Sequence, residues 1–526
     1  MQVAVEGCAH GSLDIIYRAI ADKDRLTGHT TQLLLICGDF QALRNHSDFN
    51  TLAVPQKYKQ LGDFYNYYSG KKTAPILTIC IGGNHEASSY FWELYHGGWI
   101  APNIYYLGRS GSVMVDGVRI SGASCIYKPK DYPKGYFEKV PYNNYTLRST
   151  YHIRQFDVAR LLHLPRPDIF LSHDWPLSIE RYGDTNDLIR RKPFFKNEIS
   201  RNELGSPPLL TILEKLNPRQ WFSAHLHVYF KAKWISLAKA THKRVSSSPR
   251  AEQPSKRLKV VNDNDPNEIA IEDDDEGDDN NDDRPVEAAN GKQDSNPEEI
   301  AIEDDDEEDV TNNAKEEVSN TNPTPTPTPA SDEGITHFTA LDKSLPNRKF
   351  LEVRSLVSQP FTAHPSLQFI DIETDNSDPN KPPSFTFDPH WLAITRAYHP
   401  FMSTQDEQAL PSEDEATREI EVQLQWAKQY LSNVEVGSVQ QFVKTAPGDG
   451  EKGFTYKGQP QTYTNPQTEA FCRMLDIPNI VNPQPYEGAH DFNTNEAHGE
   501  VHEGNSEALG GSDEQVHEQE QSKEEE

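Results

Sequence analysis

Five short stretches of this chain carry side chains that can hold a divalent metal. "GCAH" supplies Cys8 and His10, "CGDF" supplies Asp39, and "GGNHE" supplies Asn84, His85 and Glu86. "LSHDW" adds His173, and "SAHLH" adds His225 and His227. Thiolate, imidazole, carboxylate and amide oxygen are all donors to borderline cations. Each residue alone has an ordinary reading as a surface histidine, a turn aspartate or a buried thiol. Five such stretches in order, each closing an apolar run, point instead to a shared metal site.

The runs themselves say what must position these groups. "TQLLLIC" (31–37), "APILTICIGG" (74–83), "RPDIFLSHDW" (166–175) and "RQWFSAHLHVYF" (219–230) read as strands. "LDIIYRAIADKD" (13–24) reads as one of the helices between them. Strands alternating with helices imply an α/β fold whose polar chemistry sits at strand ends. His225 and His227 are two apart, so on a strand both imidazoles would share one face.

The chain has 526 residues and a formal net charge of −30, enough for two or three domains and too acidic to coat nucleic acid with its whole surface. Five cysteines without regular spacing read as reduced thiols in an intracellular compartment. The N-terminus has neither a basic nor an apolar leader region, and no apolar run reaches the ~18 residues that a bilayer requires, so no membrane association is expected.

Composition divides the chain into five parts. Residues 1–240 read as the first part of a globular core. Residues 241–334 hold two acidic near-duplicates, "NEIAIEDDDE" and "EEIAIEDDDE", and a Pro-Thr run, and are expected to be disordered. Within them "KR" at 243–244 and "KRLK" at 256–259 have the form of a bipartite nuclear signal. Residues 335–400 complete the core. "VYFKAKW" (228–234) should pair with "THFTALD" (336–342), and "LQFIDIE" (367–373) and "FTFDPHWLAITRAY" (385–398) should follow. Residues 401–483 are a helical extension in which Ser412 and Glu415 form a capping box. Residues 484–526 are glutamate-rich and again expected to be disordered. Such acidic segments are candidates for contacts to partner proteins.

One stretch runs against the acidic background. Between 128 and 160, Lys128, Lys130, Lys134, Lys139, Arg148, Arg154 and Arg160 face only Asp131, Glu138 and Asp157. Tyr132, Tyr136, Phe137, Tyr142, Tyr145 and Tyr151 are interleaved with them. Cations that hold phosphates beside rings that stack on bases suit single-stranded or branched RNA. A solvated loop with tyrosines packed beneath it has the same composition.

The ordered donor set resembles that of the calcineurin-like metallophosphoesterases, with Cys8 where that family carries Asp and Ala224 where it carries Gly. "GCAHG", "GGNHEAS", "LSHDWP" and "ALDKSLP" (340–346) resemble one branch of it, the lariat debranching enzymes. So do the stretch 121–161 and "FVKTAP" and "NPQTEAFCRMLDI" near the C-terminus. The resemblance implies a β-sandwich of two mixed sheets flanked by helices, with a small C-terminal extension. It implies two divalent metals, Fe2+ or Zn2+ or both, with Mn2+ as a third candidate. Cys8, His10, Asp39 and His227 would hold one, and Asp39 would bridge to a second held by Asn84, His173 and His225. His85 would act as general acid, with Glu86 orienting it. The reaction implied is hydrolysis, by metal-activated hydroxide, of the 2′–5′ phosphodiester at the branch point of excised intron lariat RNA, in the nucleus. Contacts to that RNA would come from Lys128, Tyr132, Lys134, Tyr136, Phe137, Tyr142, Tyr145, Tyr151 and Arg154. The alternative is a phosphoesterase of the same fold acting on phosphoproteins or nucleotides.

Overall fold

Two sheets built from alternating apolar residues face each other in this chain, known here from a computed structural model. The structure describes residues 1–236, 334–344, 367–372, 374, 381–451 and 458–484. The expectations of disorder for 241–334 and 484–526, and the basic clusters near 243 and 256, fall almost entirely outside the described residues.

The strands are β1 (Gln2–Glu6), β2 (Thr31–Ile36), β3 (Leu77–Cys80), β4 (Gly98–Ala101), β5 (Ile104–Tyr106), β6 (Ser110–Val115) and β7 (Val118–Ala123). They continue with β8 (Ile169–Ser172), β9 (Gln220–Ser223), β10 (Phe230–Ile235), β11 (Ile335–Ala340), β12 (Leu367–Asp371) and β13 (Phe385–Phe387). The first sheet has the order β12-β1-β2-β3-β5-β4, and the second β10-β11-β9-β8-β7-β6-β13. Both are mixed. β1, β2, β3 and β5 run parallel, as do β7, β8, β9 and β11. β12 and β10 pair antiparallel at their sheets' edges.

The period of two in the strands explains the layering. Val3, Val5, Leu33, Leu35 and Ile79 of the first sheet join Ile120, Ile169, Leu171 and Phe222 of the second in one buried cluster. The opposite face of the first sheet, with Ala4, Leu34 and Ile36, packs on Ile16, Tyr17 and Ile20 of helix Leu13–Thr27. On the second sheet Phe170 and Trp221 pack on Phe156, Leu209 and Ile212, which come from helices Gln155–Leu161 and Pro207–Leu216.

The later segments return to this sandwich. β10 and β11 pair from Phe230↔Ala340 to Ile235↔Ile335, so the chain between them leaves and rejoins the sheet at one point. Loop closure over a long insertion costs little extra free energy, since it grows logarithmically with length. Residues 385–398 split into a three-residue strand and helix Pro389–Tyr398, because Asp388 caps the helix by accepting from His390 N–H at 3.0 Å. Ser412 caps helix Glu413–Tyr430 in the same way, through Glu415 N–H at 3.3 Å. Helix Pro466–Leu475 packs Phe471 and Leu475 into the inter-sheet cluster. All five cysteines are free and buried. No helix among the described residues is long and apolar enough to cross a membrane.

Candidate metal centre

Parallel strands put their carboxyl ends on one edge of a sheet, and both sheets turn that edge the same way. Cys8 and His10 follow β1, Asp39 follows β2, Asn84 and His85 follow β3, His173 follows β8, and His225 and His227 follow β9. The last pair corrects an expectation: "HLH" lies in the turn after Ser223, not on a strand. His10, Asp39, His225 and His227 have φ of 43°, 44°, 64° and 47°. Four donors in the left-handed region form a concentration of backbone strain of about 1–3 kcal/mol each, the kind that functional sites retain.

Ligand atoms of Cys8, His10, Asp39 and His227 all lie within 4.8 Å of one another. His10 Nε2 and His227 Nε2 are 3.3 Å apart, and His10 Nε2 is 3.8 Å from Asp39 Oδ2. Bonds of about 2.0–2.1 Å to a tetrahedral cation would separate two nitrogens by about 3.3–3.4 Å, so this edge fits one. The other oxygen of Asp39, Oδ1, is 3.2 Å from His173 Nε2, which is itself 3.1 Å from Asn84 Oδ1. The ring of His225 lies 5.0 Å from that of His173. Asp39 therefore offers one oxygen to each of two adjacent donor groups, as a carboxylate bridging two cations does.

Several donors are held by neighbours. His173 Nδ1 lies 2.8 Å from Cys37 O, and His10 Nδ1 lies 3.2 Å from the Gln41 amide nitrogen. His225 N–H donates to Cys8 Sγ at 3.3 Å. Glu86, which the sequence offered as orienting His85, makes its hydrogen bonds to backbone. Its carboxylate accepts from the N–H groups of Phe40, Gln41 and Gly83 at 2.7, 2.8 and 2.9 Å, clamping the two loops that carry Asp39 and Asn84. The turn bond from Gly83 is local, but Phe40 and Gln41 lie on another strand's loop, so no local signal marks the clamp. Gly83 must be glycine: a Cβ there would lie 2.1 Å from Asp39 Oδ1.

Burial sets the protonation of the cluster. It pushes His10 down to about 4, His225 to about 3 and His227 to about 2, so these imidazoles are neutral and able to ligate at neutral pH. Burial also lifts the Cys8 thiol well above its usual value, and the Asp39 charge adds to that. Burial works to raise Asp39 too, but His173 and His85 outweigh it and hold the carboxyl well below its usual range. A bound cation would supply the positive charge that a buried thiolate needs. Donor types, spacing and neutral imidazoles therefore fit a pair of divalent metals.

His85 stands beside this cluster. Its N–H donates to Asp39 Oδ1 at 2.9 Å, its ring Nδ1 lies 3.3 Å from Asp39 Oδ2, and about a quarter of its side chain (24%) is exposed.

The family profile of calcineurin-like phosphoesterases matches residues 1–229, and that of the lariat debranching enzyme C-terminal domain matches residues 333–480. A lariat debranching enzyme of Schizosaccharomyces pombe is 40% identical over 481 residues, 91% of this chain and 96% of that one. One from Arabidopsis thaliana is 34% identical over 489 residues, 93% and 89% of the two chains. One from Homo sapiens is 55% identical over 233 residues, 44% and 43%. The chain belongs to the lariat debranching enzyme family.

As a member of that family it is a metallophosphoesterase built on the calcineurin-like fold, which takes two divalent metals. The segment that resembles the debranching enzymes' RNA-recognition region divides in two. Lys128 and Tyr145 are exposed, and Tyr132, Lys134 and Phe137 are partly so. The rings of Tyr145 and Phe137 stack at 6.1 Å with an interplanar angle of 23°, and Lys134 Nζ lies 5.5 and 5.1 Å from their respective centroids. Tyr136, Tyr142, Tyr151 and Arg154 are buried, which corrects their expected role as RNA contacts. Tyr136 donates to Asp157, and Arg154 pairs with Glu138 and donates to Asp131 O and Ser149 O at 2.6 and 3.0 Å. The backbone of Tyr142 is bonded in both directions by the Gln459 amide, at 2.6 and 2.7 Å, and Tyr151 lies in the hydrophobic core. A ring spent on the core cannot stack on a base.

Proposed function

We propose that this chain hydrolyses the 2′–5′ phosphodiester at the branch point of lariat RNA. The observation that carries the reading is the bridging disposition of Asp39 between the Cys8–His10–His227 group and the Asn84–His173–His225 group. It occurs in a chain that aligns almost end to end with proteins named lariat debranching enzyme.

Cys8, His10, Asp39 and His227 would hold one metal, and Asp39, Asn84, His173 and His225 the other. When bound, two divalent cations neutralise the phosphodiester and make an acidified water available for in-line attack. A thiolate among imidazoles favours Zn2+ or Fe2+ for the Cys8 position, with Mn2+ tolerated. His85 donates a proton to the departing 2′-oxygen. Its Nδ1 faces Asp39, which assigns the donated proton to Nε2. General-acid help of this kind is worth ~10²–10⁴-fold in rate. The products are a linear RNA with a 5′-phosphate and a restored 2′-hydroxyl. Lys128, Lys134, Phe137 and Tyr145 supply charge and stacking for the strands that leave the branch. The basic clusters at 243–244 and 256–259 support a nuclear location.

Metal-loaded protein and a synthetic branched RNA test the reading. The branch should open, and His85→Ala should bind the RNA but cleave it ~10²–10⁴-fold more slowly. Protein with a full metal complement that leaves the branch intact while hydrolysing a phosphopeptide or a cyclic nucleotide would refute it.

A further inference from the structure

One cation at the rim of the metal centre comes from the far half of the chain. Lys343, just after β11, is paired with Cys8 in an isolated parallel bridge. Cys8 N–H donates to Asp342 O at 3.3 Å, and Ser344 N–H donates to Cys8 O at 3.0 Å. The approach is close enough to require Gly7, where a Cβ would lie 2.0 Å from Asp342 O.

Residues paired in register present their side chains on the same face of the ladder. Cys8 turns its sulfur toward His10, Asp39 and His227. Lys343 shares that face and is partly exposed. Its electrostatic reach agrees with the register. Burial is the main cause of the depressed His10 and His227 imidazoles, and the Lys343 charge adds to both. Among the described residues no carboxylate lies within 4 Å of its ammonium. Burial depresses Lys192, which closes helix Thr185–Arg191; the Asp342 charge opposes that, and Lys343 and Arg191 add to it.

A branch nucleotide carries three phosphodiesters on one ribose. Its neighbouring phosphates therefore crowd the scissile one from more than one side, and a basic stretch on one side alone leaves some of them unmatched. In a chain of net charge −30, a cation set beside Cys8 at the rim of the donor cluster suits such a polyanion.

We propose that Lys343 binds the RNA phosphate next to the scissile one, on the His10 and His227 side of the centre. The assignment rests on the debranching reaction proposed above and adds a contact from residues outside 128–160.

The test uses the full, metal-loaded chain and its Lys343→Gln and Lys343→Arg variants, with metal content measured for each. Binding of a branched RNA is followed over a salt series, and turnover is compared between that RNA and bis(p-nitrophenyl) phosphate, which has no neighbouring phosphate. Lys343→Gln should weaken RNA binding about tenfold and flatten the plot of log affinity against log salt by about 0.7–0.9, one phosphate contact. Its loss of kcat/KM should be larger on RNA than on the small diester, and Lys343→Arg should recover most of both. An unchanged salt slope, or equal losses on the two substrates, overturns the proposal. So does loss of metal from the glutamine variant, which would make Lys343 a support for Cys8. Wild-type protein that binds branched RNA with normal salt dependence but never opens it refutes the reaction instead, while the slope comparison still decides the Lys343 contact.

Discussion

Asp39 Oδ1 and His173 Nε2 face each other at 3.2 Å across the junction of the two sheets. Asp39 follows a strand of the first sheet and His173 a strand of the second, so the contact joins the two edges at the point where the metals belong. Asp39→Asn keeps the shape and removes the charge that both donor groups share. Bound metal should fall from two per chain to one or none, and turnover of branched RNA by about 10³-fold or more. Elemental analysis alongside single-turnover cleavage checks this. A variant that keeps two metals and near-normal turnover would show that Asp39 does not bridge.

The thiol of Cys8 predicts a change of metal preference. Cys8→Asp replaces a soft donor with a hard one at the position that faces His10 and His227. Activity supported by Mn2+ or Mg2+ should rise relative to that supported by Zn2+. The ratio of rates after stripping and reloading with each metal is the measurement. An unaltered ratio would mean that the sulfur does not ligate.

Two tyrosines nine residues apart should behave oppositely. Tyr145 is 39% exposed, whereas Tyr136 is 3% exposed and bonded to Asp157. Tyr145→Ala should weaken branched-RNA binding by 1–3 kcal/mol, about 5- to 150-fold, without lowering the unfolding midpoint. Tyr136→Ala should cost about 3–5 kcal/mol of stability by opening a core cavity. Anisotropy titrations and urea unfolding of both variants separate the two roles.

Stability should depend on acid through a buried carboxylate far from the metals. Asp388 accepts from Arg119 Nε and Ser112 Oγ, both at 2.7 Å, while capping helix Pro389–Tyr398. Burial alone would raise its pKa, but His390, Arg119 and Ser112 together hold it well below the usual carboxylate value. A depressed folded-state pKa gives stabilisation that is complete above the unfolded value near 3.9 and is lost as pH falls through the folded one. Asp388→Asn should cost about 3 kcal/mol at pH 7, since it leaves the Arg119 charge uncompensated. The gap between wild type and variant should hold constant from pH 7 to 5 and close below about pH 4. Urea midpoints across that range test it, and a gap that widens in acid would reverse the assignment.

Much of the metal centre was legible in the chain itself, because ligation is a property of residue type and each donor closes an apolar strand. Cys8, His10, Asp39 and His227 come together, the grouping that the family resemblance implied. The strand reading failed at "HLH", where left-handed backbone at both histidines ends the ladder that alternation alone would continue. The role of Glu86 was hidden, since two of its three donors, Phe40 and Gln41, belong to a segment that meets it only after folding. The aromatic stretch read as evenly for packing as for RNA, and burial divided it.

By itself the sequence determined which chemistry is available: soft and hard metal donors in a fixed order, set at the ends of strands, inside an acidic chain. Only the tertiary structure decided which groups share a cation, which tyrosines are spent on the core, and that Lys343 lies in register with Cys8 across an interval of more than three hundred residues. Donor identity is covalent and local, whereas distance, burial and register arise when two sheets close on each other and bring remote segments to one edge.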